Sequence, residues 1–143
     1  MKHPLHPALV HFPVACWSLG TLADATGAFH PDALLAQYAA VLLAIGCAAG
    51  LLAAVAGFVE LLGLPPAHPA GRDATVHMAL ALTAWCLYAG SLGLRIDVDA
   101  RLLLAPGAAA LAASGLGFAV LLAAGWMGGK LVYGHGVGVA GRR

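Results

Sequence analysis

Four long stretches of the chain carry no charged residue, and they constrain the fold more than any other feature. They contain 21, 27, 21 and 28 residues in chain order. A helix of about 20 apolar residues crosses the roughly 30 Å hydrocarbon core of a bilayer, so each stretch is long enough to span it. The stretches are residues 3–23, 33–59, 74–94 and 102–129.

The composition excludes a soluble globule. Charged residues make up 9% of the chain and hydrophobic residues 62%, whereas about 25% of the residues in a soluble domain are charged. We therefore predict that residues 1–143 form a single membrane domain. Its four spans are predicted at about residues 7–22, 34–62, 73–94 and 102–127.

The connections between the spans are short, which makes consecutive helices antiparallel neighbours. The predicted fold is therefore all-α, an integral membrane four-helix bundle with up-down-up-down topology. Small residues four positions apart let helix backbones approach closely in lipid, and they also suit the interface of a homo-oligomer. Such pairs are Gly46 and Gly50, Ala53 and Gly57, Ala113 and Gly117, and Gly125 and Gly129.

The lysines and arginines indicate how the bundle is oriented. Both termini and the loop between spans two and three share one end, and that end carries five of the seven basic residues. The positive-inside rule therefore places both termini in the cytoplasm. Seven dispersed basic residues give no electrostatic footprint for nucleic acid, so the lipid bilayer is the expected partner and nucleic acid is not.

Histidine is concentrated at the same end of the bundle. His11 and His77 each lie about four residues, or about 6 Å, inside their predicted spans. Spans one and three are diagonal partners in the bundle, so we expect these two side chains to face each other. Six of the seven histidines are predicted at this end, namely His3, His6, His11, His68, His77 and His135.

Two imidazoles that face each other across a bundle can hold a planar macrocycle, and imidazole is an axial ligand of haem iron. We therefore predict a membrane b-type cytochrome-like electron-transfer protein with His11 and His77 as the haem ligands. His6 and His135 are a second candidate cofactor-binding pair, because the glycines before His135 let the tail fold back. The chain contains no Cys-x-x-Cys-His motif, which excludes covalent c-type attachment.

Glu60 lies near the cytoplasmic end of span two, at a depth where an ionisable side chain is costly. We interpret it as the catalytic candidate, a proton acceptor or a histidine partner in a haem-dependent oxidoreductase. A carboxylate that snorkels to the interface is the alternative interpretation.

Two other functions agree with the same residues. One is the binding or transport of Zn, Cu or Ni, since imidazole suits these ions. The other is a structural subunit of a respiratory complex, in which His11 and His77 only make interhelical hydrogen bonds to a carbonyl or to Glu60. The metal ligands would be His3, His6, His11, His77 and His135.

The remaining polar residues have structural interpretations. Asp24 and Arg95 fall at the opposite ends of spans one and three, where an ion pair is expected. The three cysteines lie in different spans and form no Cys-x-x-Cys pair, so they are predicted to be small buried hydrophobic residues. His30 and His68 are predicted to be solvated loop residues.

Both ends of the chain resemble the signatures of a known family. The opening motif, residues 3–13, is HPLHPALVHFP, and the closing motif, residues 125–139, is GWMGGKLVYGHGVGV. They look like those of the DUF2231 family of small four-helix bacterial membrane proteins, whose pattern His77, Asp24 and Arg95 also fit.

The resemblance implies the four-helix fold and a location in the bacterial inner membrane. Some relatives carry Rieske-type iron–sulphur modules, which implies redox chemistry with a quinol or an iron–sulphur partner. The family pattern has an Asp near the end of span two, where this chain has Glu60.

Overall fold

A computed structural model describes residues 5–65, 67–100 and 102–137. Nearly all of them are helical, in α1 (Leu5–Leu9), α2 (His11–Phe29), α3 (Ala33–Leu62), α4 (Gly71–Gly93) and α5 (Ala108–Gly129). A π-helical turn, Lys130–Gly134, follows α5 directly, and two short strands, β1 (Ile96–Asp97) and β2 (Leu102–Leu103), join α4 to α5.

Helices α1 and α2 form one element that is interrupted at Val10. The α-helical hydrogen bonds continue across the interruption, from Val10 N to His6 O and from Val14 N to Val10 O. Pro13 has no N–H to donate to the carbonyl of Leu9, which accounts for the interruption. The element begins at Leu5 and ends at Phe29, whereas the predicted span covered residues 7–22.

The ends of the other helices follow local sequence signals. Asp32 caps α3, since its Oδ1 accepts from the backbone N–H groups of Leu34 at 2.7 Å and Leu35 at 3.3 Å. Such a cap satisfies donors that have no partner within the helix. Asp73 lies in the first turn of α4, where the helix dipole favours an acidic residue.

Helix α5, which forms the fourth predicted span, begins six residues later than the predicted start at Leu102. Ile96 pairs with Leu103 and Asp97 with Leu102 in a short antiparallel hairpin. Pro106 disfavours helical backbone at the residue before it, and Gly107 is the N-cap of α5. The helix therefore begins at Ala108.

The four long helices form a closed ring in which α2 contacts α3 and α5, and α4 contacts the same two helices. Helices α2 and α4 are thus diagonal partners that face each other across the core. This arrangement confirms the predicted all-α, membrane-type four-helix bundle. Within the described residues, three helices are long and apolar enough to cross a membrane, at Ala33–Leu62, Gly71–Gly93 and Ala108–Gly134.

Small residues pack inside the bundle, while large apolar side chains cover its outside. Of the predicted small-residue pairs, those on α3 are buried, whereas Gly125 is exposed. Cys86 is also exposed, which contradicts its predicted burial. An apolar exterior around a core of small residues is the pattern of helices packed in lipid. The buried α3 residues include Gly46, Gly50, Ala53 and Gly57.

Two contacts across the α2–α4 diagonal form the centre and the far end of the core. The rings of Trp17 and Tyr88 are stacked, with centroids 4.8 Å apart and planes at 10°. Beyond them, Arg95 donates from Nη1 and Nη2 to the two carboxylate oxygens of Asp24 at 2.7 and 2.6 Å. Both charged side chains are buried. The predicted ion pair is confirmed, and its bidentate geometry compensates for part of the cost of burial.

Candidate functional site

His6 lies in α1 and packs against α3. Its Nδ1 is 2.7 Å from the carbonyl oxygen of Ala53. A carbonyl oxygen can only accept, so Nδ1 carries the ring proton and donates it. A Cβ at Gly57, one turn further along α3, would lie 2.8 Å from this nitrogen. Glycine at position 57 therefore allows the imidazole to reach the carbonyl.

His77 is held in the same way on the other side of the bundle. Its Nδ1 donates to the carbonyl oxygen of Ala124 on α5 at 2.9 Å. A Cβ at Gly128, again one turn beyond the carbonyl, would lie 3.2 Å from Cε1 of the ring. This bond is the interhelical contact that the alternative interpretation of His77 predicted. It occupies only one of the two ring nitrogens.

The two imidazoles lie close together across the core. Their ring centroids are 6.0 Å apart and their planes are at 82°. Because the Nδ1 atom of each ring is hydrogen-bonded to a carbonyl, the nitrogen left to bind a ligand is Nε2. A backbone acceptor on one ring nitrogen is the usual device that orients a histidine for metal ligation through the other.

The histidine pair borders a cavity of about 650 Å³. Sites for small molecules and cofactors have volumes of about 300–1,000 Å³. Trp17, Trp85 and Phe118 also line the cavity, and Trp17 follows His6 by 11 residues, or about 16 Å at the rise of an α-helix. The indole of Trp85 is fixed by a hydrogen bond from its Nε1 to the carbonyl oxygen of Cys47 at 2.8 Å.

Glu60 also lines the cavity. Its Oε1 accepts from the backbone N–H of His6 at 3.3 Å. His6 is the second residue of α1, where a backbone N–H has no acceptor within the helix. Glu60 therefore anchors the start of the helix that carries His6, and its predicted role in proton transfer remains a prediction.

His11 does not lie opposite His77. Its side chain is exposed, and its Nδ1 is 3.4 Å from the carbonyl oxygen of Ala8. Residues five apart on an α-helix differ in direction by about 140°, so His11 faces away from the core when His6 faces into it. The predicted pairing of His11 with His77 is wrong, and His6 occupies the position that we assigned to His11.

The second predicted cofactor-binding pair, His6 with His135, stays a prediction, and His135 has another partner in the structure. His135 instead places Nε2 at 2.8 Å from Oδ2 of Asp73, and Nζ of Lys130 is 2.9 Å from the same oxygen. Lys130 and His135 are five residues apart and would diverge on an α-helix. The wider turn of the π-helix between them brings both to the same side.

The remaining histidines are dispersed. His30 is exposed, and Nδ1 of His68 accepts from the backbone N–H of Ala70 at 3.1 Å. His3 lies outside the described residues. Within the residues that the structure describes, no three His, Cys, Asp or Glu side chains come together as a metal site would need.

Contacts at and around the site recur at a fixed offset along the chain, which relates a first repeat, α1–α3, to a second repeat, α4–α5. Residues in the ion pair are 71 positions apart, and two other contacts across the core of the bundle join residues with the same offset. The three pairs are His6 with His77, Trp17 with Tyr88, and Asp24 with Arg95.

Contacts within the first repeat recur in the second repeat between residues 71 positions later. The hydrogen bond from each histidine to its carbonyl, for example, joins residues 47 positions apart in both repeats. A Cβ at Gly46 would lie 2.5 Å from the ring of Trp17, and a Cβ at Gly117, 71 positions later, would lie 3.1 Å from the ring of Tyr88.

These equivalences place the cavity at the interface between two parallel repeats, a position where membrane proteins often bind ligands. The sequence predicted His11 and not His6 as the partner of His77, because the depth of each histidine was counted from an assumed helix start. A search of the sequence for self-similarity at a fixed offset would have aligned His6 with His77.

The fold and the site together define a small helical membrane protein with a histidine pair at an apolar cavity. The family described as "Predicted membrane protein (DUF2231)" matches residues 2–141, and the chain belongs to this family. Neither the curated proteins nor the solved structures contain a match.

Proposed function

We propose that this protein is a membrane b-type cytochrome that binds haem between His6 and His77 and transfers electrons. One observation carries the proposal. Two imidazoles, each oriented by a bond from Nδ1 to a helix carbonyl, lie with ring centroids 6.0 Å apart at an apolar cavity. Haem supplies one-electron chemistry when it is bound by such ligands.

The separation of the rings agrees with two ligands on one metal atom. An imidazole nitrogen lies about 2 Å from a bound metal, and the ring centre lies about 1 Å further away, so ring centres on opposite sides are about 6 Å apart. The rings of His6 and His77 have this separation without any movement of the helices.

The number of ligands favours haem over a free ion. The porphyrin occupies four positions around the iron, so two imidazoles complete the set. A Zn, Cu or Ni site usually needs three or four protein ligands, and the described part of the chain groups no three of them. His3, which lies outside it, is the residue that the metal hypothesis would have to add.

The surroundings of the pair suit electron transfer. Apolar walls exclude water, and the hydrogen bonds from Nδ1 make each histidine more basic as a ligand. Glu60 lies at the cavity as the group that would exchange a proton with water at the surface. A quinol or an iron–sulphur protein would be the redox partner, at a bacterial inner membrane with both termini in the cytoplasm.

A visible absorption spectrum of the detergent-purified protein tests the proposal, together with elemental analysis after dialysis. We expect Soret and α bands that shift when dithionite is added, and about one iron per haem site. Stoichiometric zinc, copper or nickel without these bands would instead favour the ion-binding hypothesis. A colourless, metal-free protein from haem-replete cells would favour the structural subunit of a respiratory complex.

A further inference from the structure

Three ionisable side chains meet near His77, and we call them the Asp73 cluster: Asp73, Lys130 and His135. Lys130 Nζ and His135 Nε2 lie 2.9 and 2.8 Å from the same oxygen, Oδ2 of Asp73. Asp73 is four residues before His77, or about 6 Å along α4 towards the end of the bundle. None of the three lines the cavity itself, but Ala74 and Leu131, which follow Asp73 and Lys130 in the chain, do, so the cluster lies next to the cavity lining.

The comparison of the two repeats shows that the fold does not require Lys130 and His135. At the positions equivalent to Lys130 and His135, the first repeat has Val59 and Leu64. The first repeat nevertheless forms the same bond between a histidine and a helix carbonyl. The Lys130 side chain is 52% exposed, and an ion pair this exposed contributes little to stability.

The cluster keeps donors free for an anion. Lys130 has three ammonium protons, of which one is directed to Asp73, and the second ring nitrogen of His135 can donate when the ring is protonated. Asp73 thus holds both side chains in place. Donors of this kind form strong, charge-assisted hydrogen bonds with a carboxylate.

We propose that Lys130 and His135 bind the carboxylate groups of the ligand that His6 and His77 hold. The inference rests on the proposed function and deepens it, because it assigns which edge of the haem faces the Asp73 cluster. Haem b has two carboxylate side chains on one edge and apolar substituents on the other. The apolar edge packs towards Trp17, Trp85 and Phe118, and the carboxylates reach the Asp73 cluster.

The test is a titration of the protein purified without haem, in a detergent that contains no phospholipid, with haem b and with its dimethyl ester. The Soret band gives both dissociation constants. The wild-type protein is expected to bind haem b about tenfold more tightly than the ester, as expected for one charge-assisted hydrogen bond. Lys130→Met removes this preference by weakening only the binding of haem b, and Lys130→Arg retains it.

Arg72→Met is the matched control. Like Lys130, Arg72 is an exposed cation that does not itself line the cavity, and it directly precedes Asp73 in the chain. Its substitution removes one positive charge from the same end of the bundle, and the preference for haem b is expected to stay. A loss of the preference in this variant would assign the effect to general charge and would overturn the proposal.

Two results separate this inference from the function on which it rests. A wild-type protein that binds haem b and the ester equally overturns the role of the Asp73 cluster and leaves haem binding intact; a lipid phosphate at the cluster would give this result. A wild-type protein that binds neither compound overturns both. The wild-type comparison needs no substitution, so a variant that fails to fold does not affect it.

Discussion

His6 and His77 each donate a ring proton to a helix carbonyl 47 positions further along the chain. In both cases a glycine one turn beyond the carbonyl gives the ring its space. The same local arrangement thus occurs once in each repeat, and the two histidines meet at the interface. The site therefore depends on Gly57 and Gly128, which have no side chain to contact a ligand but leave space for the histidine rings.

Alanine at these glycines is expected to displace the histidines. A Cβ at position 57 would lie 2.8 Å from the ring of His6, and a Cβ at position 128 would lie 3.2 Å from that of His77. Gly57→Ala should therefore lower the haem content of the purified protein more than Gly128→Ala. Gly129→Ala is the control, because a Cβ there meets nothing within 4 Å and Gly129 does not line the cavity. Equal haem content in all three variants would contradict the assigned ligands.

The buried ion pair between Asp24 and Arg95 is expected to be strongly coupled. Asp24→Asn leaves the Arg95 guanidinium buried without an anion, which should cost about 3–5 kcal/mol of unfolding free energy. Asp24→Asn combined with Arg95→Met removes both charges and should cost less than the sum of the two single substitutions. Denaturant unfolding in detergent measures these values, and additive losses would show that the pair contributes nothing by itself.

Packing at the centre of the bundle gives a third prediction, in which stability follows the space at each glycine. A Cβ at Gly46 would lie 2.5 Å from the ring of Trp17, and one at Gly117 would lie 3.1 Å from that of Tyr88. Overpacking of a core costs about 1–3 kcal/mol, so Gly46→Ala should destabilise most and Gly117→Ala less. Gly115→Ala, which meets nothing within 4 Å, should be neutral in the same unfolding measurement. Any other order would contradict the stacked arrangement.

The proposed orientation can be tested with single cysteines in a background without Cys16, Cys47 and Cys86. Asp99 lies in the hairpin between α4 and α5, and His68 lies in the loop between α3 and α4, at the opposite end of the bundle. With both termini in the cytoplasm, a membrane-impermeant thiol reagent should label Asp99→Cys in spheroplasts. His68→Cys should react only after the membrane is opened, and the reverse pattern would invert the assigned topology.

The fold could be predicted from the sequence because it depends on the spacing of charges. Uncharged stretches long enough to cross a bilayer, with short connections, leave an antiparallel bundle as the economical arrangement. The ion pair was predictable for the same reason, since Asp24 and Arg95 mark the ends of spans that lie on one diagonal.

The site was less predictable, because it depends on direction as well as depth. A shift of five residues turns a helical side chain by about 140°, and this difference separates His6 from the predicted ligand, His11. The π-helical turn that carries His135 to Asp73 has no simple sequence signal. The small-residue pair Ala53 and Gly57 was recognised only as a packing motif, although it also receives His6.

Haem content of three histidine variants tests the central claim most directly. The protein is purified from haem-replete cells, and its Soret absorbance is measured per polypeptide for His6→Ala, His77→Ala and His11→Ala. We predict that the first two lose the bound haem and that His11→Ala keeps the wild-type amount, because His11 is exposed and faces away from the cavity. Haem lost with His11→Ala and kept with His6→Ala would contradict the proposed site.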